Sequence, residues 1–187
     1  MAPIVGKDFS MTRILPILEQ LLKDDSSEVR LNVSSNMAKL SGVVGADLLT
    51  PTLITLLTNL TKDAQWRVRM ATVELLGDLS LVFGKDVFMQ KIEPIFIQYL
   101  TNTAASVREM GITKSAEICK SFGAEWIVSS YLPKVIENYN VDQQGYMYRI
   151  CSLRSLSAVV PVLQKDQITE KVVPIFIKAT SDPIPNV

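Results

Sequence analysis

The sequence predicts an all-α fold, a right-handed superhelix of paired helices with about four and a half repeats. Two series of regularly spaced residues carry this prediction. One is a Val-Arg pair, with Tyr replacing Val in the last copy, whose first residues step by 39, 39 and 41 positions: Val29, Val68, Val107 and Tyr148. The other is a glycine every 39 residues: Gly6, Gly45, Gly84 and Gly123. A period near 40 without strand-like alternation is typical of stacked helix pairs.

Two further series keep the same register. An acidic residue stands five positions before the Val at Asp24, Asp63 and Asp182, and Asn102 and Gln143 take its place in the other repeats. A proline precedes the Val position by 13 to 15 residues: Pro16, Pro94, Pro133 and Pro174. The longer 41-residue step therefore reflects a two-residue insertion between Pro133 and Tyr148.

Each repeat contains two predicted helices. The first is apolar with an early proline, which is tolerated because the first-turn N–H has no helical partner. The second begins near the Val-Arg pair, and a glycine with positive φ is expected to end it. One apolar face of the first such helix is formed by Val29, Val33, Met37, Leu40 and Val44. First helices are predicted near 11–23, 48–61, 87–101, 126–139 and 168–180, and second helices near 27–43, 65–82, 105–121 and 146–162.

Composition excludes several function classes. The 19 basic and 19 acidic residues balance, whereas a nucleic-acid binder needs a basic surplus. The chain has no histidine, so the commonest general base and metal ligand is missing. Its two cysteines, Cys119 and Cys151, are expected to be buried free thiols without a base to activate them. No enzyme activity, cofactor or metal is therefore expected.

The segments that would direct the protein to a membrane are also missing. The beginning of the chain does not have the pattern of a signal peptide. Its apolar stretches are shorter than the ~20 residues that cross a bilayer. No membrane association is expected, and the predicted location is the cytoplasm, with the nucleus as a second compartment.

The period, the proline, the turn Asp and the Val-Arg pair together resemble HEAT repeats. Within that class, the stretches KDDSSEVRLNVSSNM, KDAQWRVRMATVELLGDLS and FGAEWIVSSYLPKVI are similar to the C-terminal repeats of the scaffold (A, regulatory) subunits of type 2A protein phosphatases. The resemblance divides residues 1–187, a single array, into repeats near 10–45, 46–84, 85–123 and 124–164, with the first helix of the next repeat at 165–187. It implies a piece of a longer array.

The resemblance also implies a function. In these scaffolds the turns between the two helices of each repeat hold the phosphatase catalytic subunit. Regulatory B-type subunits bind mainly to more N-terminal repeats, outside this chain. The alternative is another HEAT adaptor, of the nuclear-transport or chromosome-organising type, that binds a different protein.

The turns are also where the repeats differ from one another. The place two before the Val holds Ser27, Trp66, Ala105, Tyr146 and Pro185, and the place one before holds Glu28, Arg67, Ser106, Met147 and Asn186. Constant framework positions with variable turns suggest that the turns meet partners. An exposed aromatic beside an arginine is the composition of an interface anchor. The resemblance implies contacts with the catalytic subunit at these turns, and the predicted partner-binding residues are Gln65, Trp66, Arg67, Ala105, Tyr146, Met147 and Arg149.

Structural interpretations stand beside these predictions. Trp66 could fold back over a neighbouring helix, Met147 could fill the core, and Ala105 is smaller than the aromatic usual in the family. Arg149 could belong with Arg30, Arg69 and Arg108 to a structural series. These arginines could form a phosphate-binding strip, but their spacing favours ion pairs between the turn Asp of one repeat and the Arg of the next, worth ~0.5 kcal/mol each. Trp126 is predicted to staple the start of a first helix.

Overall fold

A computed structural model describes residues 2–140, 145–185 and 187. All regular secondary structure in these residues is helical, which confirms the predicted all-α class. The chain comprises two compact units, Met1–Gln98 and Tyr99–Val187. Gln143 and Asn186, which continue the turn series, lie outside the described residues. Within the part that the structure describes, no helix has the length and apolar character needed to span a bilayer.

The second helix of each repeat lies where the sequence predicts it. The four helices are Ser27–Val44, Trp66–Phe83, Ala105–Phe122 and Tyr146–Val159. On the first of them, Met37, Leu40 and Val44 are buried, as the predicted apolar face requires, while Val29 and Val33 are half-buried. The last helix ends three residues earlier than predicted and continues as the 3-10 turn Val160–Val162, because Pro161 cannot donate to an α-helical ladder.

Glycine ends the first three of these helices, as predicted. Gly45, Gly84 and Gly123 follow directly, with φ of 70°, 80° and 86°. At Gly84 ψ is 178°, a combination with positive φ that only glycine adopts readily. The Gly84 N–H still donates to the carbonyl of Ser80 at 3.0 Å, so the helix closes its last turn before the chain changes direction.

The first helices are longer than predicted and contain a feature that the sequence analysis missed. A five-residue π-helical turn stands before the proline in four of them: Ser10–Ile14, Phe88–Ile92, Ile127–Tyr131 and Ile168–Val172. The proline then occupies the first turn of the α-helical segment that follows. The carbonyl four residues before each proline lies in this wider π turn. In an uninterrupted α-helix the pyrrolidine ring would clash with that carbonyl.

The first helix of the second repeat is the exception. It begins at Pro51 and ends at Leu60. The Thr50 side chain accepts a hydrogen bond from the Leu53 N–H at 3.1 Å and so caps the first turn. This helix needs no π turn, because Pro51 stands at its very first position.

Unit 2 contains a buried hydroxyl cluster in its core. The Tyr99 hydroxyl lies 2.7 Å from that of Tyr131, 3.0 Å from that of Ser115 and 3.2 Å from that of Ser155. Burial raises the pKa of Tyr99, so the phenol stays neutral and can donate. The ring reaches this position because Gly111 has no Cβ, which would collide with it.

The aromatic and thiol side chains predicted to be structural in unit 2 are buried. Trp126 packs edge-on against Phe122, with centroids 5.2 Å apart, and stacks on Tyr131 at 5.9 Å. It thus joins the end of one helix to the next, as the staple prediction requires. Cys119 and Cys151 are buried free thiols. Burial raises their pKa values to about 12 and about 11, which leaves both uncharged at neutral pH.

The backbone at Gly84 yields a stability prediction with a matched control. Gly84→Ala is expected to lower the free energy of unfolding by about 2 kcal/mol, because alanine is strained at this φ and ψ. Gly42→Ala, within the helix Ser27–Val44, is expected to raise it by about 0.8 kcal/mol. A Cβ at either glycine meets nothing within 4 Å, so packing is unchanged. Urea unfolding measures both variants, and shifts of the same sign would contradict the prediction.

Candidate protein-binding turns

In the turn between the paired helices, the acidic side chain accepts a hydrogen bond from the backbone N–H two residues later. The Asp63 carboxylate accepts a hydrogen bond from the Gln65 N–H at 2.9 Å, and Asp24 accepts one from Ser26 at 2.8 Å. Asn102 makes the same bond to the Ala104 N–H at 3.1 Å, since its amide oxygen can replace a carboxylate oxygen. This local bond fixes the backbone at the start of the second helix in the first three repeats.

The arginine of the Val-Arg pair donates hydrogen bonds to two backbone carbonyls of the same turn. The Arg30 Nη1 donates to the carbonyls of Asp24 and Asp25 at 2.7 and 3.1 Å. Arg69 repeats the pattern on the Asp63 and Ala64 carbonyls at 2.7 and 3.2 Å, and Arg108 on those of Asn102 and Thr103 at 2.7 and 3.1 Å. The guanidinium groups thus satisfy carbonyls that follow the first helix, which favours a structural series over a phosphate-binding strip.

Ion pairs also join consecutive repeats within each unit. In unit 1, Arg30 donates from Nε and Nη2 to the two Asp63 carboxylate oxygens at 2.7 and 3.1 Å. In unit 2, Arg149 makes the same bidentate contact with Asp182 at 2.7 and 2.9 Å. The direction is opposite to the one predicted: the Arg belongs to the earlier repeat and the Asp to the later one. Arg30 reaches forward with Nε and Nη2 because its Nη1 is already directed at its own turn.

These pairs are more buried than surface ion pairs. The Arg30 and Asp63 side chains are 16% and 8% exposed. Burial raises the pKa of Asp63, but the hydrogen bonds from Arg30 and from the Gln65 N–H outweigh it, and the net pKa is lowered. The hydrogen bond from Arg149 likewise lowers the pKa of Asp182. Both carboxylates are therefore ionised at neutral pH and stabilise the turn.

The three residues predicted at the turn of the second repeat are exposed. Gln65 precedes the helix Trp66–Phe83, and its neighbours Trp66 and Arg67 form the first turn. The Trp66 side chain is 39% exposed, and the Arg67 guanidinium lies over its ring at 5.2 Å from the centroid. This cation–π contact orients a large aromatic surface at the end of the helix, where a partner can reach it.

Unit 2 places its predicted residues in two environments. Tyr146 and Met147 begin the helix Tyr146–Val159 and are 42% and 37% exposed, so Met147 is not fully enclosed in the core. Arg149 is half-buried and pairs with Asp182. Ala105 is exposed at the first position of the helix Ala105–Phe122. Tyr146, Met147 and Ala105 thus expose an aromatic ring, a thioether and a methyl group, respectively.

The sequence did not predict one ion pair that lies near these residues. Glu109 and Arg154 form a bidentate ion pair that joins the second helices of two consecutive repeats in unit 2. Neither residue belongs to a periodic series, and the two-residue insertion changes their spacing. Only the packing of the helices brings them together.

The ion pair between Arg30 and Asp63 yields a second stability prediction. Asp63→Asn retains an oxygen for the Gln65 N–H but removes the charge, so the free energy of unfolding at pH 7 should fall by about 1.5 kcal/mol. Because the pKa of folded Asp63 is lowered, the ionised form stabilises the fold above the unfolded pKa of about 3.9, and this contribution is lost as pH falls through the folded pKa. The difference between variant and parent should therefore shrink as pH falls below about 4 and disappear below the folded pKa.

Asp24→Asn is the matched control, because Asp24 makes the same turn bond and no ion pair involving it is seen among the described residues. Urea titrations at pH 7 and pH 3 distinguish the two variants. Equal losses for both at pH 7 would assign the stability to the turn bond and reject the ion pair as its source.

Comparison with known families agrees with this geometry. A family model for the HEAT repeat matches residues 14–44 and 53–83, which hold most of the first two helix pairs. No match to a curated protein was found. The matched repeats, together with the helix pairs and turns described above, support a HEAT-repeat protein, and such repeats suggest a scaffold or adaptor that binds other proteins.

Proposed function

We propose that the chain is a non-catalytic scaffold piece that holds the catalytic subunit of a type 2A serine/threonine protein phosphatase through its intra-repeat turns. The observation that carries the proposal is the exposed Trp66 with Arg67 over its ring, within the stretch KDAQWRVR that resembles the phosphatase scaffolds. A large exposed aromatic on a rigid helix end is costly in water and is typical of a protein-binding site.

At the turn of the second repeat, the side chains that bond to the backbone differ from those that face solvent, and this separation supports the proposal. Asp63 and Arg69 bond to the turn itself, whereas Gln65, Trp66 and Arg67 face solvent. A partner can bind those three side chains without breaking the bonds that hold the turn. Binding would then require little rearrangement of the chain, which reduces its entropic cost.

The turn of the fourth repeat supplies the second part of the proposed surface. Tyr146 and Met147 offer exposed apolar area at the start of a helix. Arg149 contributes indirectly, because its guanidinium is engaged by Asp182 and stabilises the start of the helix from which the two side chains project. Aromatic and thioether groups adapt well to a protein surface.

Other partners follow from the same proposal. Regulatory B-type subunits would bind repeats outside this chain. With a net charge of zero, no nucleic-acid partner is proposed, and no membrane partner either. The scaffold would work in the cytoplasm and also in the nucleus, where its phosphatase partner acts.

Truncation of the aromatic tests the proposal. Trp66→Ala should weaken binding of the purified type 2A catalytic subunit by about 30-fold, or about 2 kcal/mol, because hot-spot aromatics contribute this much. Biolayer interferometry with the immobilised chain measures the affinity, and circular dichroism checks that helicity is unchanged.

Phe9→Ala is the control, since Phe9 is 50% exposed but lies outside the intra-repeat turns. It should bind like the parent chain. Equal affinity of Trp66→Ala and parent would reject the aromatic anchor. If the parent chain does not bind the catalytic subunit, the alternative of another HEAT adaptor takes its place.

A further inference from the structure

The third repeat differs from its neighbours at the turn. The place that holds Trp66 and Tyr146 in the second and fourth repeats holds Ala105. In unit 2 the missing side chain leaves a pocket of about 100 Å³ between the helices Ala105–Phe122 and Tyr146–Val159, with Ala105 and Met147 on its walls. Where two turns present an aromatic side chain, this one presents a cavity.

Most of the residues that line the pocket are apolar. Ile112, Ile150 and Cys151 form this apolar lining together with Ala105 and Met147. The raised pKa of Cys151, about 11, keeps the thiol neutral, so this group behaves as a small apolar side chain. A volume of 100 Å³ equals about three water molecules at liquid density, which is also the size of a branched four-carbon side chain. Water held there finds few polar partners, so its displacement by an apolar group is favourable.

Three charged residues, called here the charged edge, also line the pocket: Arg108, Glu109 and Arg154. Arg154 and Glu109 are 56% and 45% exposed and Arg108 is buried, so two cations stand against one anion. Glu109 and Arg154 pair with each other, and the Arg108 Nη1 bonds to uncharged backbone carbonyls. The edge therefore has an excess of positive charge, which is complementary to a carboxylate on a partner.

We propose that this Ala105 pocket receives one leucine- or methionine-sized side chain, flanked by an acidic residue, from the catalytic subunit of the phosphatase. The inference rests on the proposed function and adds the partner chemistry that one of its turns selects. The apolar side chain fills the space that Ala105 leaves, and the acidic neighbour lies at the edge near Arg108 and Arg154. Met147 can adjust to the inserted group because its thioether side chain is flexible.

Filling the pocket tests the inference. Ala105→Trp places at this turn the residue that the second repeat carries at Trp66, and it should weaken binding of the purified catalytic subunit at least tenfold. Ala105→Leu fills the pocket with less bulk and should weaken binding by several-fold, which gives a result even if the Trp variant loses helicity. Ala105→Ser, the control, adds one oxygen atom and should stay within twofold of the parent chain.

The charged edge needs a separate variant. Arg154→Gln removes one of the two cations, and binding should weaken about fivefold at low salt and less at high salt. Biolayer interferometry measures all four variants against the parent. Unchanged affinity of both pocket-filling variants, unchanged affinity of Arg154→Gln at low salt, or tighter binding by Ala105→Trp would each overturn the inference.

The two proposals fail in different ways. If Trp66→Ala weakens binding while the Ala105 variants do not, the Ala105 pocket is rejected and the scaffold function stands. If the parent chain does not bind the catalytic subunit at all, both proposals are rejected.

Discussion

The hydrogen bonds of the arginine at the fourth position of each second helix are the interaction on which the rest of the structure depends. In Arg30, Arg69 and Arg108 the Nη1 binds the carbonyls that follow the first helix, and in Arg30 and Arg149 other nitrogens bind the acidic residue of the next turn. Arg30 makes both kinds of bond, so one side chain closes a turn and joins it to its neighbour. A planar guanidinium can do this because its donors point in fixed, separate directions. Lysine, with a single ammonium, could not bridge both sets of acceptors.

This arrangement explains why the turns can vary while the helix pairs stay alike. In the turns that the structure describes, the acidic residue and the arginine use backbone groups and each other as partners, so the exposed side chains between them can differ without breaking these bonds. Trp66, Ala105 and Tyr146 occupy the same place in their repeats. An aromatic ring in two turns and a cavity in a third are then different surfaces on one framework, as expected of a scaffold that binds proteins.

Periodicity made much of the fold predictable. Glycine at positive φ and the apolar faces each follow from local rules, and Gly84 and Met37 behave accordingly. The π turns were missed because each proline was expected near the start of its helix, where it needs no such turn, whereas four of the prolines stand inside a longer helix. The hydroxyl cluster around Tyr99 was missed because its members come from four separate segments. Tertiary packing alone brings Tyr131, Ser115 and Ser155 to one point.

The candidate site was predictable only in part. Exposure of Trp66 follows from a polar turn around an aromatic residue, but the direction of the Arg30–Asp63 pair depends on how one repeat is offset from the next. The Ala105 pocket arises because alanine has no side chain beyond its methyl group. Its charged edge includes the contact between Glu109 and Arg154, whose spacing in sequence is changed by the two-residue insertion. Features defined by empty space or by non-periodic contacts need the folded coordinates.

Amide hydrogen exchange of the chain, with and without a saturating type 2A catalytic subunit, tests the central claim most directly. The claim is that the intra-repeat turns bind the partner while the glycine-containing connections between repeats remain free of it. The account predicts slower exchange in peptides covering 62–69 and 145–150, with unchanged exchange in peptides covering 81–87 and 120–125. Protection confined to the glycine connections, or no protection anywhere, would contradict it.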